Sequence, residues 1–401
     1  MTNAITPLLL AEFTATSCIG VGAIAMRTAL IEQRSGLKRC AFETVDIDTY
    51  IGEVPGVDAQ RLPANLQKFD CRNNRLAELA LQQDGFLESM HAAASRWGRR
   101  RIGVFIGTST SGILQTELAY RERDPHSGVL PPDFEYATTH NSFSVADYVR
   151  QRCRLEGPAA AVSSACASSA KVFCSARRMI EAGFIDAALV GGTDSLCLTT
   201  LYGFHSLQLS SATPCRPFDV ARDGISIGEA AAFALLERAP DNLQGGSVLL
   251  LGVGESSDAY HMSAPHPEGL GAKRAMQAAL AAAALEAADI DYINLHGTGT
   301  PSNDRAESQA IVSIFGSTTP CSSTKGATGH TLGAAGALEA IISVLAIKNG
   351  LMPGGVNTMQ IDPALTAHYI RENRRAPMRR VLSNSFGFGG TNCSLIFGAA
   401  G

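Results

Sequence analysis

Charge is scarce in this 401-residue chain: Asp, Glu, Lys and Arg together make up 17%, against about 25% in an ordinary domain. That excludes a disordered segment, a coiled-coil rod and a charged nucleic-acid arm, each of which needs a strong compositional bias. Positive charge is not in excess either. With 33 Lys and Arg against 37 Asp and Glu, the formal net charge is −4, so no global field gathers nucleic acid or anionic lipid. An acidic partner must be met by a local patch. The longest charge-free stretch, between Asp194 and Arg216, is interrupted by Ser, Thr, Gly and Pro, so no membrane span is expected. The start, MTNAITPLLLAE, has no basic segment followed by an apolar one, and the expected location is cytoplasmic. The 10 cysteines form no CxxC pair and no Cys/His ligand spacing, which argues against a disulfide scaffold and a zinc site and leaves most of them as small buried residues.

What is present is apolar and glycine-rich: hydrophobic residues reach 45%, with 39 glycines. Short β-branched runs ending in glycine turns recur at 101–107, 187–193, 247–254, 291–297, 381–387 and 392–398. Between them lie helical patterns. Residues 73–96 carry Leu76, Leu79, Ala80, Phe86, Leu87, Met90 and Ala94 near a 3.6 period, 333–349 do the same, and 271–288 and 159–183 are Ala-rich. Alternation of this kind implies an α/β protein with sheets covered on both faces. The RAPDNLQGG stretch at 238–246, between two strand-like runs, is the best internal boundary, giving halves of 1–244 and 245–401.

Four segments carry chemistry. In SSACASSA (163–170), Cys166 lies between a strand-like run and a helical pattern, where a helix N-terminus favours thiolate and small neighbours admit a substrate; the competing reading is one packed cysteine among ten. In NLHGTGT (294–300), His296 ends an apolar strand, at the edge where α/β proteins bind ligands, with Thr298 and Thr300 beside it. In STKGATGHTLGAAG (323–336), Lys325 and His330 sit in a glycine-dense loop that matches no nucleotide-binding order. In NSFGFGGTN (384–392), a glycine turn between two strands can offer a backbone N–H to an oxyanion, or is simply a tight hairpin.

Taken together and in this order, SSACASS, HGTGTPSNDRAE, STKGATGHTLGAAGALEA and NSFGFGGTNCSLIF resemble the β-ketoacyl-acyl-carrier-protein synthases of the elongating, Cys-His-His type, in the thiolase-like superfamily. Weaker similarity, such as RPFDVARDG at 216–224, covers nearly the whole chain. The resemblance implies a five-layered αβαβα thiolase-like fold of two pseudo-duplicated halves, the nucleophile in the first and both histidines in the second. It implies decarboxylative condensation of an acyl-enzyme thioester with malonyl-carrier protein, in fatty acid or polyketide and polyene synthesis. No metal or cofactor is expected, because the substrates ride on the 4′-phosphopantetheine of acyl carrier protein. The expected assembly is a homodimer, or a heterodimer with a related subunit.

The same resemblance assigns roles. Cys166 matches the nucleophile and His296 and His330 the catalytic histidines. Lys325 matches the adjacent lysine and Glu307 the carboxylate that accompanies it. Phe388 matches the residue whose N–H completes the oxyanion hole and whose ring gates the acyl pocket. Thr298 and Thr300 match pantetheine contacts, Phe204 and Phe386 pocket-lining positions, and Thr110 a pocket-floor position that reaches in from a dimer partner. A small hydroxyl residue there implies a deeper or more polar tunnel, suited to a long or unsaturated chain. Lys68, Arg72 and Arg216 are the candidates for docking the carrier protein, with Arg75 beside them. Two departures from the family pattern are Asn303 in place of Gly and GEAAA at 228–232, neither expected to touch the nucleophile or histidines. A non-catalytic chain-length partner is the alternative reading, opposed by retention of Cys166, His296 and His330 together; a degradative thiolase is another, opposed by the lack of a second cysteine in a CxG segment.

Overall fold

The computed structural model describes residues 5–400. Ten strands build its main sheet: β1 (Leu8–Ser17), β2 (Ile102–Gly107), β3 (Ala159–Val162), β4 (Ala187–Asp194), β5 (Ala230–Arg238), β6 (Val248–Ser257), β7 (Tyr292–Asn294), β8 (Cys321–Ser322), β9 (Arg380–Gly387) and β10 (Thr391–Ala399). They run in the order β8-β7-β9-β10-β6-β1-β5-β4-β2-β3, with Gly20–Val21 adding a short strand to one end of β1. From the centre outward, β1 pairs antiparallel with β5, β5 antiparallel with β4, and β4, β2 and β3 are parallel. The other side repeats this pattern: β6 with β10 and β10 with β9 antiparallel, then β9, β7 and β8 parallel. An antiparallel β1–β6 pair joins the two halves. The topology is duplicated although the sequence shows no repeat.

Among the helices that cover the sheet are α1 (Arg72–Leu81), α2 (Ser144–Arg152), α3 (Ser168–Glu181), α4 (Leu270–Ala283), α5 (Pro301–Phe315) and α6 (Ala335–Asn349). α1 and α2 cover the outer face of the first half-sheet, and α4, backed by α5, covers that of the second. α3 and α6 lie between the half-sheets and touch strands of both. Every residue from Ala335 to Ile347 is buried, as expected of a helix apolar on all sides. The segment Leu332–Asn349 is long and apolar enough to cross a membrane by length and composition, but 89% of it is buried inside the fold. The middle layer is tight. A Cβ on Gly107 would come within 2.3 Å of the Ser169 nitrogen, and one on Gly336 within 2.5 Å of the Ala170 nitrogen, so these two contacts need glycine.

The structure departs from the sequence reading in places. The 73–96 pattern is two helices, broken where Asp84 (φ 57°) and Gly85 (φ 69°) turn left-handed. The 291–297 run is a strand only over Tyr292–Asn294, and 159–183 divides into β3 and α3. The strand-like run before 238–246 is β5, while the central strand β1 carries no signal the sequence reading used.

Candidate active site

The site forms where the two halves meet. β3 delivers the chain to Ala165, which turns left-handed (φ 50°), and Cys166 follows two residues before α3 begins. His296 sits just beyond β7, while Lys325 and His330 lie on the loop between β8 and α6. Phe388 occupies the turn between β9 and β10, where Gly389 (φ 78°) and Gly390 (φ 75°) take left-handed conformations. The hairpin and the N–H donor are therefore the same object.

His330 Nε2 lies 3.0 Å from Cys166 Sγ. The His296 and His330 rings meet edge to face at 5.3 Å, and donor atoms of Cys166, His296 and His330 lie within 4.8 Å of one another. Lys325, 1% exposed, donates from Nζ to the His296 carbonyl at 2.6 Å, pairs with Glu339, and comes within 3.5 Å of His296 Nδ1. An ammonium facing Nδ1 makes that nitrogen an acceptor and leaves the proton on Nε2. Burial, with Lys325 adding to it, holds both imidazoles well below their usual range, so each is neutral at pH 7.

Cys166 does not show the thiolate expected of a helix N-terminus. Burial pushes its thiol up to about 12, and the Lys325 charge and the Phe388 backbone N–H only partly oppose this. Desolvation outweighs the helix dipole here because Cys166 is 5% exposed and two residues short of the helix. The resting group is a neutral thiol beside a neutral imidazole.

A solvent-open cavity leads to this centre. Cys166, His296 and His330 line it together with Thr298, Thr300, Phe204, Phe386 and Phe388. The Thr298 and Thr300 hydroxyls bond each other at 2.9 Å. Phe204 and Phe388 lie 5.5 Å apart across it, and Phe386 packs 5.8 Å from the His296 ring.

Other predicted residues stand elsewhere. Glu307 is not the partner of Lys325: it accepts from the His296 and Gly297 amides at 2.8 and 2.7 Å and holds the turn that carries the histidine. Glu339 is the carboxylate on Lys325. A lone acid in an otherwise apolar helix marks it, since such a helix admits a charge only with a partner. Thr110 does not line the cavity in the single chain; its N–H and hydroxyl both donate to Asp194 at 3.0 Å. Arg72 is no docking residue. It is 4% exposed, clamped by Glu229 through Nε and Nη2 at 2.9 and 2.7 Å and by Asp58 at 2.6 Å. Arg75 is taken up by Asp70. Lys68 is exposed and Arg216 half-buried, its guanidinium donating to Thr213. Asn303, not expected near the chemistry, lines the cavity wall. The 258–265 segment, which carried no motif, lines it too through Asp258, Ser263, Ala264 and Pro265.

Three soft or borderline donors this close could in principle hold a metal. The surroundings do not suit a cation, because the Lys325 ammonium already lies against His296.

Comparison with known proteins identifies the family. The β-ketoacyl synthase N-terminal domain family matches residues 26–242 and the C-terminal domain family residues 248–359. The chain is 40% identical over 318 residues to the mitochondrial 3-oxoacyl-[acyl-carrier-protein] synthase of Arabidopsis thaliana, covering 75% of this chain and 68% of that one. In structure it is similar to the ketosynthase ApeO, solved in complex with its chain length factor ApeC from Xenorhabdus doucetiae, with TM-score 0.89, 38% identity and 98% of each chain covered. It is also similar to the ishigamide ketosynthase/chain length factor, with TM-score 0.88, 29% identity and coverage of 99% and 100%. A thiolase-type duplication with Cys166 from one half facing His296 and His330 from the other, matched along nearly its whole length, makes this chain a member of the β-ketoacyl synthase family, an acyltransferase.

Proposed function

We propose that the chain is the catalytic subunit of a ketosynthase that extends carrier-bound acyl chains by decarboxylative condensation, with a related chain-length subunit as its partner. The observation that carries the catalytic part is the 3.0 Å contact between Cys166 and His330 in a cavity shared with His296. Sγ attacks the acyl thioester carbonyl, the thiol proton passes to His330, and the carrier thiol leaves with a proton. A malonyl thioester then enters. Its C–COO⁻ bond breaks, CO₂ departs, and the electron pair becomes an enolate whose oxygen is held by neutral imidazole N–H donors. His296 is the clearer of these, since Lys325 fixes its proton on Nε2. The carbanion attacks the acyl carbonyl and the C–S bond breaks with its electron pair on sulfur, so Cys166 leaves as thiolate and takes one proton from solvent to regain its thiol; the Phe388 N–H, already directed at Sγ, stabilises the oxyanion on the way. The electron pair comes from the malonyl group itself, so no metal or organic cofactor is invoked.

Several considerations support the finer reading. Carrier protein as substrate vehicle follows from the 3-oxoacyl-[acyl-carrier-protein] synthase relatives. The heterodimer reading is supported by likeness to two ketosynthases solved with chain length factors. A chain-length subunit itself has no chemical need for all three of Cys166, His296 and His330. Lys68 is the remaining exposed candidate for meeting the acidic carrier, and cytoplasmic placement accords with that partner. The apolar, aromatic cavity wall suits a long or unsaturated chain.

The test is condensation by the purified chain, alone and with a co-expressed chain-length subunit, against saturated and polyunsaturated acyl-carrier substrates, with mass spectrometry of the acyl-enzyme. Acylation confined to Cys166, and longer products with the second subunit, are expected. Label on Cys174 or Cys393 with Cys166 unmodified would overturn the catalytic assignment. Full activity on saturated chains as an unaided homodimer would overturn the heterodimer and substrate assignments.

A further inference from the structure

His330 lacks the usual device for orienting an imidazole. Its Nε2 faces Cys166, but its Nδ1 is buried and has no hydrogen-bond partner among the described residues. In most functional histidines a bond at the second nitrogen sets the ring's tautomer and direction. Here the main chain must do so. On one side it is pinned: the His330 N–H donates to the Ser226 carbonyl at 2.7 Å, and the Gly228 N–H donates to the His330 carbonyl at 3.0 Å. On the other side the chain passes through Leu332, a branched residue held left-handed at φ 52°, a conformation that persists only where the surroundings impose it.

The group that meets this turn is Asp194, at the end of β4 and fully buried. The Gly333 N–H donates to its Oδ2 at 2.6 Å. The same carboxylate accepts from the Thr108 hydroxyl (2.6 Å), from the Ser109 N–H (2.8 Å) and hydroxyl (2.5 Å), and from the Thr110 N–H and hydroxyl (3.0 Å each). All these partners are neutral donors. Ser111, next in that loop, is also left-handed at φ 46°, and its N–H bonds Thr108 Oγ1 at 2.9 Å. Two strained turns, one after β2 and one after His330, thus converge on one side chain. The fit is close: a Cβ on Gly333 would stand 2.7 Å from Asp194 Oδ2.

We propose that Asp194 is the positioning residue for His330: by gathering the 108–110 loop and the Gly333 amide on one carboxylate, it holds Leu332 in its left-handed turn and thereby sets the His330–Cys166 contact. The proposal rests on the assignment of Cys166 and His330 as the reacting pair. Asn at 194 keeps the shape but loses one acceptor and turns an N–H₂ toward amide donors, so the turn after His330 is released.

The test is the rate of Cys166 alkylation by iodoacetamide in the purified full-length protein at pH 8, with the thermal midpoint measured alongside. Asp194→Asn should alkylate about tenfold more slowly, the scale of loss that follows misplacement of a reacting group. Adding Leu332→Gly, which adopts positive φ without strain, should recover much of that loss. The sign is decisive. A carboxylate acting only as a nearby negative charge raises the Cys166 pKa, so its removal would speed alkylation. A rate at or above that of the unmodified protein, or a slow rate that Leu332→Gly leaves unchanged, overturns the proposal. Should Asp194→Asn not fold, Ser109→Ala serves: it removes a hydroxyl that bonds both Asp194 and the Gly333 amide. About threefold slower alkylation supports the proposal, and an unchanged rate overturns it. Cys166→Ser is the control. If it takes up label as fast as the unmodified protein, the assignment of the reacting pair has failed rather than the role of Asp194.

Discussion

Replacing Lys325 by Met tests the buried charge pair beneath the site. The side chains of Lys325 and Glu339 are 1% and 3% exposed, and neither has another ionic partner among the described residues. Removing one member of such a pair costs about 3–5 kcal/mol, because the other charge is stranded. Glu339 has an escape: burial already raises its carboxyl to about 7 against the opposing pull of Lys325, and without the ammonium it rises further and binds a proton. That places the loss for Lys325→Met near the lower end, about 3 kcal/mol at pH 7. Glu339→Gln should cost less, about 1–3 kcal/mol, since the ammonium keeps the His296 carbonyl and Nδ1 as acceptors. The double variant strands no charge and should be destabilised by about 2 kcal/mol less than the two single effects combined. Urea midpoints with unchanged m-values measure this. Activity should separate from stability. Both variants lacking Lys325 lose the ammonium that fixes the proton on His296 Nε2, so malonyl decarboxylation should fall at least about tenfold even where stability is recovered. Additive stabilities, or normal CO₂ release by Lys325→Met, would refute the reasoning.

Both histidines are held below their ordinary pKa of 6.5, so the neutral forms that donate to the enolate persist as pH falls. Decarboxylation should stay level from about pH 8 to 6.5 and fall only in more acid solution; a midpoint near 6.5 would contradict the burial argument. The Cys166 thiol has the opposite displacement, up to about 12, so its alkylation should keep climbing past pH 9, where an ordinary thiol levels off. Arg72→Ala should destabilise the fold by about 3–5 kcal/mol by stranding buried Glu229 and leave carrier-protein KM unchanged in the folded fraction. Lys68→Glu, on an exposed side chain, should raise that KM with no change in stability; the reverse pattern would restore Arg72 as a docking residue.

How much could be read from the sequence depended on what each segment touches. Strands at 102–107, 187–194, 380–387 and 391–399 were legible because β-branched runs end in glycine turns. β5, AAAFALLER, was legible only as a strand-like run ending at the 238–246 boundary. It lies between β1 and β4 with helices on both faces, so its first eight residues are all buried and no alternation marks where it starts. β1 begins LLLAEF, with Glu12 exposed mid-strand, and carries a register shift between Leu10 and Glu12 that breaks its period. The break at Asp84–Gly85 carries a turn signal that the continuing apolar period obscured.

Residues whose role is to touch substrate were the legible part of the site, since small and glycine neighbours around Cys166, His296, His330 and Phe388 leave the backbone open to a ligand. The residues that orient them were not, because their signal lies in pairing across the fold. Glu307 and Glu339 are both buried carboxylates eleven and fourteen positions beyond the groups they support, and their distance along the chain does not say which of them meets Lys325; the one signal is that Glu339 is the lone acid of its helix. The helices decide it. α5 begins just after the His296 turn, so Glu307, on its second turn, reaches back to the amides of that turn. α6 starts beyond His330 and runs through the middle layer, which carries Glu339 beneath the Lys325 loop. Arg72 was misread for the same reason. Its position in the chain suggests a surface beside Lys68, yet the first turn of α1 points inward to Glu229, a residue of the other end of the same half. The buried charges, Arg72 with Glu229 and Lys325 with Glu339, are thus fixed in pairs that set the geometry of the interior, and a docking surface has to be sought among exposed side chains, such as Lys68, that no carboxylate claims.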